Sequence, residues 1–188
     1  PDSASRGNVL LSYLVQPFIS KDLRSLHSHS NLWECYQMAK TWNRNGYTVD
    51  VINWYDRRFR PSRKYDFFID IHSNMERISP LLDKDCVKIL HITGAHWLFQ
   101  NKAEYERLLY LQRRRSVTLV PRRLAPPCLG IEHADCATTV CSGFSRDTFR
   151  YANKPMHWVP LTTTMEFPWF DDKRFDACRN RFLWIGSS

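Results

Sequence analysis

Six short apolar runs punctuate this chain, each separated from the next by a polar or helix-like segment. They read NVLLSYLV, TVDVINW, YDFFIDIH, VKILHIT, ADCATTVC and MHWVPLT, at 8–15, 48–54, 65–72, 87–93, 134–141 and 156–162. Runs of this length and composition are typical of strands buried on both faces of a parallel sheet. Because helical segments separate them, they predict βαβ units. We therefore expect an α/β fold with a doubly wound, mostly parallel, Rossmann-like sheet.

Helices are predicted between the apolar runs, at 31–46, 74–83, 100–115 and 145–152. In the first of them, Asn31 is placed to cap the helix, Glu34 to complete a capping box and Gly46 to end it. Its apolar residues fall at helical spacing and predict a buried stripe, consisting of Leu32, Cys35, Ala39 and Trp42.

The helix at 100–115 ends in three arginines, which suit the negative end of the helix dipole. Its predicted inward face consists of Tyr105, Leu108, Leu109 and Leu111. The segment SVTLVPR, at 116–122, is predicted as a further strand with Pro121 at its end. Ser145 is expected to open the last helix.

The chain is basic, with a formal net charge of +8 over 188 residues. Much of the excess lies in two clusters, DRRFRPSRK at 56–64 and RRRSVTLVPRR at 113–123. Such clusters are either solvated faces or surfaces that attract nucleotide phosphates, nucleic acid or acidic lipid headgroups. The content of 43% hydrophobic and 24% charged residues is that of a globular chain, and no apolar run approaches the about 20 residues that span a bilayer.

The six cysteines include no Cys-x-x-Cys pair, and most lie in apolar segments. Without a secretion signal they predict reduced core thiols, not disulfides or a zinc cluster. We expect a cytoplasmic protein, with membrane association as an additional option.

Polar residues follow the predicted strands where each strand ends, and in parallel strands these ends meet at one edge of the sheet. We expect a ligand site there, formed by His29, Asn31, His72, Ser73, Asn74, Thr93, Gly94, His96, Ser142 and Gly143. Gly94 permits a sharp turn or a close approach of the backbone to a ligand. His96 is suited to bond a ligand hydroxyl or a phosphate. His91 lies inside a strand, which favours a core histidine.

Two parts of this site have a purely structural alternative. His29 and Asn31 precede a helix N-terminus, which favours an anion or a hydroxyl-rich ligand; the alternative is that Ser30 or Asn31 only caps the helix. Ser142 and Gly143 belong to CSGFS, whose small residues suit a phosphate group of a ligand but are also typical of a helix start.

The C-terminal segments indicate a division into domains. We expect residues 1–164 to form the Rossmann-like domain, 165–180 a linker, and RFLWIGSS at 181–188 the first strand of a second domain. The alternative is that RFLWIGSS closes the first sheet as an edge strand.

The order of these segments resembles the N-terminal, acceptor-side domain of a GT-B glycosyltransferase of the retaining group 1 class. The resemblance rests on SHSNLWECYQMAKTWNRNGYTVDVINW, on the strand exits YDFFIDIHSN and VKILHITGAHW, and on MHWVPLTT followed by a linker and RFLWIGSS. The loop QPFISKDLRSLHSHS departs from the family because it lacks the glycine pair that many relatives carry there.

The resemblance implies transfer of a sugar from a nucleotide-sugar donor to a sugar or lipid-linked acceptor, in a cleft between two Rossmann-like domains. It implies His96 and His72 as the catalytic candidates, no cofactor and no metal, and an inactive chain when the nucleotide-sugar domain is missing. Peripheral membrane contact is an expected use of the basic clusters. Two alternatives remain: a stand-alone doubly wound binding or regulatory domain, and a basic nucleic-acid-binding domain, which is disfavoured because no nucleic-acid-binding motif is present.

Overall fold

A computed structural model of the chain describes residues 5–20, 26, 29–161, 163–164 and 175–182. The described residues form a six-stranded, all-parallel sheet in the order β2-β1-β3-β4-β5-β6. The strands are β1 (Gly7–Tyr13), β2 (Tyr47–Asn53), β3 (Phe67–Asp70), β4 (Val87–Ile92), β5 (Cys136–Thr139) and β6 (Met156–Trp158). The expected doubly wound, Rossmann-like α/β fold is confirmed.

Helices flank this sheet on both faces. The helices of the described residues, not all of which pack on the sheet, are α1 (Gln16–Ile19), α2 (Ser30–Arg44), α3 (Asn74–Ile78), α4 (Trp97–Arg115), α5 (Gly130–His133), α6 (Gly143–Asp147) and α7 (Phe175–Cys178). Short 3-10 turns follow at Ser79–Leu81 and Arg150–Ala152. From β1 the chain runs outward to β2 and then returns past β1 to β3, so the strand order reverses between β1 and β3.

The two faces of the sheet are covered by different helices because successive strand residues point to opposite sides. On one face, Val9 and Leu11 of β1 pack with Cys35 and Ala39 of α2. On the other, Phe68 of β3 packs with residues of α3 and α5, in a cluster that includes Leu10, Leu90, Met75 and Ile131. Both faces are therefore apolar, as the continuous apolar runs predicted.

The start of α2 differs from the expectation. The helix begins at Ser30 and is capped by His29, whose Nδ1 accepts a hydrogen bond from the Asn31 N–H at 3.2 Å. The predictions that Asn31 caps the helix and that Glu34 completes a capping box are wrong, because the extended backbone of His29 places an imidazole acceptor there first. Gly46 has a φ of +87°, which lets the chain turn into β2 as predicted.

The predicted inward face of the helix at 100–115 is wrong for Tyr105 and Leu109, whereas Leu108 and Leu111 are partly buried and line a cavity with the chain that follows the helix. The helix begins at Trp97, and of its 19 residues only Glu104 is buried. Tyr105 and Leu109 are each 49% exposed. The reason is that α4 does not lie along the sheet with its apolar stripe inward. Its inner side faces the chain that follows it.

The segment 116–122 is not a strand. Ser116 adopts the left-handed conformation with a φ of 53°, so the chain reverses at the end of α4 and runs back beside the helix. Asn101 donates to the Ala125 carbonyl at 3.0 Å and accepts from the Ala125 N–H at 2.8 Å. Glu104 Oε1 accepts from the Arg122 N–H at 3.2 Å. The backbone of this segment thus bonds side chains of α4, not a neighbouring strand. We call residues 101–125 the α4 arm.

The remaining elements are shorter than predicted. The helix at 74–83 ends at Ile78 and continues as a 3-10 turn around Pro80. The last predicted helix opens at Gly143, with Ser142 and not Ser145 as its cap. The strand at 156–162 ends at Trp158. The helix α7 falls inside the predicted linker, and most of that linker, together with 183–188 of the predicted second-domain strand, lies outside the described residues.

All six cysteines are unpaired. Cys35 and Cys86 are buried as expected for core thiols, whereas Cys178 is exposed and does not belong to the core. Among the helices that the structure describes, none combines the length and the apolar character that crossing a membrane requires.

Candidate functional site

A crevice of about 210 Å³ lies beyond the carboxyl ends of β3 and β4. The chain returning from the α4 arm closes one side of it with Ala125, Pro126 and Cys128. Its polar and aromatic lining consists of His72, His91, Thr93, His96, Trp97, Gln100 and Phe149. Four of the residues predicted from the sequence therefore come together in this crevice: His72, Thr93, Gly94 and His96.

His72 is the predicted residue whose side chain is best placed to meet a ligand. It is half-buried, and its Nδ1 is buried without a hydrogen-bond partner among the described residues. The ring lies 5.1 Å from the Trp54 ring, between centroids. Burial lowers the pKa of His72, Glu76 opposes that shift and Arg57 adds to it. The imidazole is therefore neutral at pH 7, and its Nδ1 has a hydrogen-bonding capacity that no described residue uses.

Trp97 supplies a second buried nitrogen at the same crevice. Its Nε1 has no partner within the described residues, and an indole N–H can only donate. Buried polar atoms in folded proteins are nearly always bonded to protein or water. Three residues that line the crevice, His72, His91 and Trp97, thus have a buried ring nitrogen without a hydrogen-bond partner among the described residues, and that of His91 lies 3.3 Å from Glu34 Oε1. The sequence analysis missed Trp97, although it follows directly on the His96 strand exit.

His96 has a structural role in this geometry. It is 4% exposed and caps α4, with Nδ1 accepting from the Leu98 N–H at 3.4 Å. Its Nε2 lies 3.3 Å from the Tyr151 hydroxyl, and its backbone N–H donates to Thr148 Oγ1 at 2.9 Å. Burial lowers the pKa of His96, against a smaller effect of Glu132. Both ring nitrogens are thus engaged by the protein itself, so of the two catalytic candidates His72 has the free nitrogen.

Thr93 and Gly94 form the rim of the crevice. Thr93 is exposed and Gly94 is partly exposed. The φ of Gly94 is not in the left-handed region, and a Cβ added there would meet only Gln100 Nε2, at 3.5 Å. The chain bends sharply at Gly94 and Ala95, as one of the two expected roles of this glycine requires, but without a left-handed conformation. What the glycine contributes is a bare backbone at the rim.

A buried carboxyl beneath the crevice holds the β3–α3 turn in place. Asp70 is fully buried, and its Oδ2 accepts from the Met75 N–H at 2.6 Å and from the His72 N–H at 3.2 Å. Its Oδ1 has no partner among the described residues. Burial raises the pKa of Asp70 to about 6, although Ser12 and the backbone N–H groups oppose this. The sequence signal for it was a lone acid at the end of an apolar run.

Asn74 and Ser73, both predicted as binding residues, have different positions. Asn74 is buried, with Nδ2 donating to Ser12 Oγ at 3.0 Å and to the Asn53 carbonyl at 3.1 Å. Its Oδ1 accepts from Arg77 at 2.9 Å. The side chain of Asn74 is thus fully used in joining β1, β2 and α3. Ser73 precedes α3 without a side-chain cap bond and stands partly exposed.

The sequence-based assignment of His91 to the core is confirmed. His91 is fully buried, and its Nδ1 lies 2.8 Å from Thr138 Oγ1. Its Nε2 is 3.3 Å from Glu34 Oε1, off the line of a full hydrogen bond. Glu34 also accepts from the Tyr13 hydroxyl at 2.7 Å. Burial raises the Glu34 pKa, but the contacts to His91 and Tyr13 outweigh it and lower the pKa overall.

The other predicted residues do not line the crevice. His29 and Asn31 lie at the start of α2, where they are used for the cap, and His29 is exposed. Ser142 Oγ accepts from the Ser145 N–H at 3.4 Å, and a Cβ added at the exposed Gly143 would meet nothing within 4 Å. They lie at the carboxyl ends of β1 and β5, on the same edge of the sheet but outside the crevice.

The fold and the crevice define a doubly wound α/β domain with a small polar site at the carboxyl edge of its sheet. Within the described part of the chain, no group of three or more His, Cys, Asp or Glu side chains is arranged to hold a metal ion. Comparison with known proteins found no matching family model, no matching curated protein and no matching solved structure.

Proposed function

We propose that this chain is the acceptor-side half of a GT-B glycosyltransferase that uses a nucleotide-sugar donor, and that the crevice at β3 and β4 binds one sugar ring. The observation that carries the proposal is the pair of unpartnered nitrogens, His72 Nδ1 and Trp97 Nε1, at the carboxyl edge of a parallel sheet. Ligands of open α/β sheets bind at that edge. The strand-exit residues that carry the sequence resemblance line the same crevice.

The chemistry of the crevice suits a sugar. Sugar hydroxyls both donate and accept hydrogen bonds, so they match a neutral imidazole nitrogen in either tautomer and an indole donor. The volume of about 210 Å³ is below the about 300–1,000 Å³ of drug-sized ligand pockets, and therefore fits a single ring better than a whole nucleotide. In the proposal, the nucleotide of the donor is held by a second domain.

The proposed role of His72 is to bind and orient a sugar hydroxyl. Its backbone N–H and that of Met75 are both held by Asp70, so the turn carrying the imidazole is fixed before a ligand arrives. A fixed hydrogen-bonding group costs less entropy on binding than a mobile one. No metal enters this proposal, and the charge of a donor phosphate would be met by groups outside the crevice.

The test is saturation-transfer NMR with the 188-residue chain and a panel of free sugars and nucleotide sugars with uracil, guanine or adenine bases. Saturation is expected to reach the protons of a sugar ring, with no sugar turnover by the chain alone. His72→Ala should weaken sugar binding about 3–10-fold, the effect of one hydrogen bond to a neutral group.

The matched control is His157→Ala, because His157 is an exposed histidine on β6, away from the crevice. Its sugar affinity should equal that of the wild type. Saturation transfer to no sugar, or equal affinities for His72→Ala and His157→Ala, would contradict the proposal. Circular dichroism of each variant confirms that the fold is intact.

A further inference from the structure

The α4 arm carries several apolar side chains that are exposed to water and are not packed against the sheet. Val120 is 77% exposed, and five other apolar or aromatic side chains of the arm are exposed between 46% and 61%: Tyr105, Leu109, Tyr110, Val117 and Leu119. Aliphatic side chains gain free energy only by leaving water, so this much exposed apolar surface in one arm indicates a partner.

A shallow cavity of about 480 Å³ lies between α4 and the returning chain. Its lining alternates between apolar and cationic side chains, and includes Leu108, Leu111, Leu119, Val120, Arg107, Arg122 and Arg123. Leu119 and Val120 come from the returning chain and Leu108 and Leu111 from the helix. The hairpin of helix and returning chain therefore presents apolar groups beside cations along its length.

The charge of the arm is strongly positive. Residues 101–125 contain seven cationic and two acidic side chains. The two acids are already paired, Glu104 with Arg107 and Glu106 with Lys102. Among the described residues, no ion pair is formed by Arg113, Arg114, Arg115, Arg122 or Arg123. In the other basic cluster, Arg63 pairs with Asp50 and Lys64 with Asp85, whereas Arg57, Arg58 and Arg60 form no ion pair among the described residues.

We propose that the α4 arm docks on a surface of acidic phospholipid, with its arginines at the headgroups and Val120, Leu119 and Val117 entering the apolar boundary. Charge complementarity selects an anionic partner, and the aliphatic side chains between the arginines select a lipid surface. A single-stranded nucleic acid would stack its bases on the exposed Tyr105 and Tyr110 and would leave Val120 and Leu119 in water. The inference stands on the arm alone and does not rest on the proposed function.

The experiment measures partition of the 188-residue chain onto sonicated vesicles by co-sedimentation. One set contains phosphatidylglycerol and phosphatidylcholine in equal parts, and the other phosphatidylcholine alone. Binding is expected to the anionic vesicles, to weaken with added salt, and to be at least about 10-fold lower on the neutral ones. R122E/R123E should lower partition about 30-fold, and Val120→Ser at least about 5-fold.

The matched control is R58E/R60E, which changes the net charge equally at two exposed arginines of the other cluster. It should bind at least about 10-fold more tightly than R122E/R123E. Three results overturn the inference: no partition onto anionic vesicles, equal losses in the two double variants, or a Val120→Ser variant that binds as well as the wild type. Tighter binding of single-stranded RNA than of anionic vesicles, unaffected by Val120→Ser, would assign the arm to nucleic acid.

Discussion

Asp70 and His72 illustrate how a single turn joins structure to a site. Oδ2 of Asp70 accepts hydrogen bonds from two backbone N–H groups, and its buried Oδ1 has no hydrogen-bond partner among the described residues. Nδ1 of His72, two residues further on, likewise has no hydrogen-bond partner within the described part of the chain. Sequence patterns identified His72 because it follows an apolar run, but they did not distinguish it from Asn74, whose bonds are all made within the protein. That distinction depends on long-range contacts to Ser12 and Asn53.

Asp70→Asn is expected to stabilise the folded chain at neutral pH. The pKa of Asp70 rises from 3.8 to about 6 on folding, so its contribution is greatest below pH 3.8 and is lost as pH rises through about 6. By pH 7.5 this loss amounts to about 3 kcal/mol. Both N–H bonds go to one oxygen, which an asparagine amide can retain.

Urea unfolding at pH 4 and pH 7.5 checks this expectation. The free energy of unfolding of Asp70→Asn should lie near or below that of the wild type at pH 4 and exceed it by about 1–3 kcal/mol at pH 7.5. A difference that does not change with pH would show that Asp70 does not titrate between these values.

At the scale of elements, the strands follow the sequence closely and α4 does not. The strands were predictable because each is a short apolar run, which is typical of a strand buried on both faces. The apolar residues of α4 predict an inward face equally well, but helical spacing does not say what the face packs against. A left-handed turn at Ser116 and two side chains, Asn101 and Glu104, decide that its neighbour is the returning chain.

Glu104→Ala is expected to release the returning chain without unfolding the domain. It removes the acceptor of the Arg122 N–H and the partner of Arg107. Limited trypsin digestion, followed by mass spectrometry, should show cleavage after Arg113–Arg115 and Arg122–Arg123 at least about 3-fold faster than in the wild type. Glu104→Gln, which keeps the acceptor oxygen, is the control and should be cleaved at nearly the wild-type rate. Unchanged cleavage in Glu104→Ala would mean that Glu104 does not hold the arm.

At the scale of the molecule, stability comes from the two apolar faces of the sheet, and the arm contributes little. Phe68 is fully buried in the face covered by α3 and α5, whereas Leu109 is half-exposed on the arm. The composition of the chain does not separate these two roles. Only the three-dimensional structure shows which apolar residues are buried against the sheet.

Phe68→Ala should therefore lower the free energy of unfolding by about 3–5 kcal/mol, whereas Leu109→Ala should change it by less than about 0.5 kcal/mol. Chemical denaturation at one pH measures both. Comparable losses in the two variants would show that α4 belongs to the core after all, as its leucine spacing suggested.

The two-way bond between Asn101 and Ala125 also has a consequence for engineering. It brings the two ends of the α4 arm together at its base, so the intervening residues form a closed excursion from the domain. A short turn bridging those two positions can replace the excursion while the strand order stays the same. We therefore expect that the arm can be exchanged for another segment without changing the sheet.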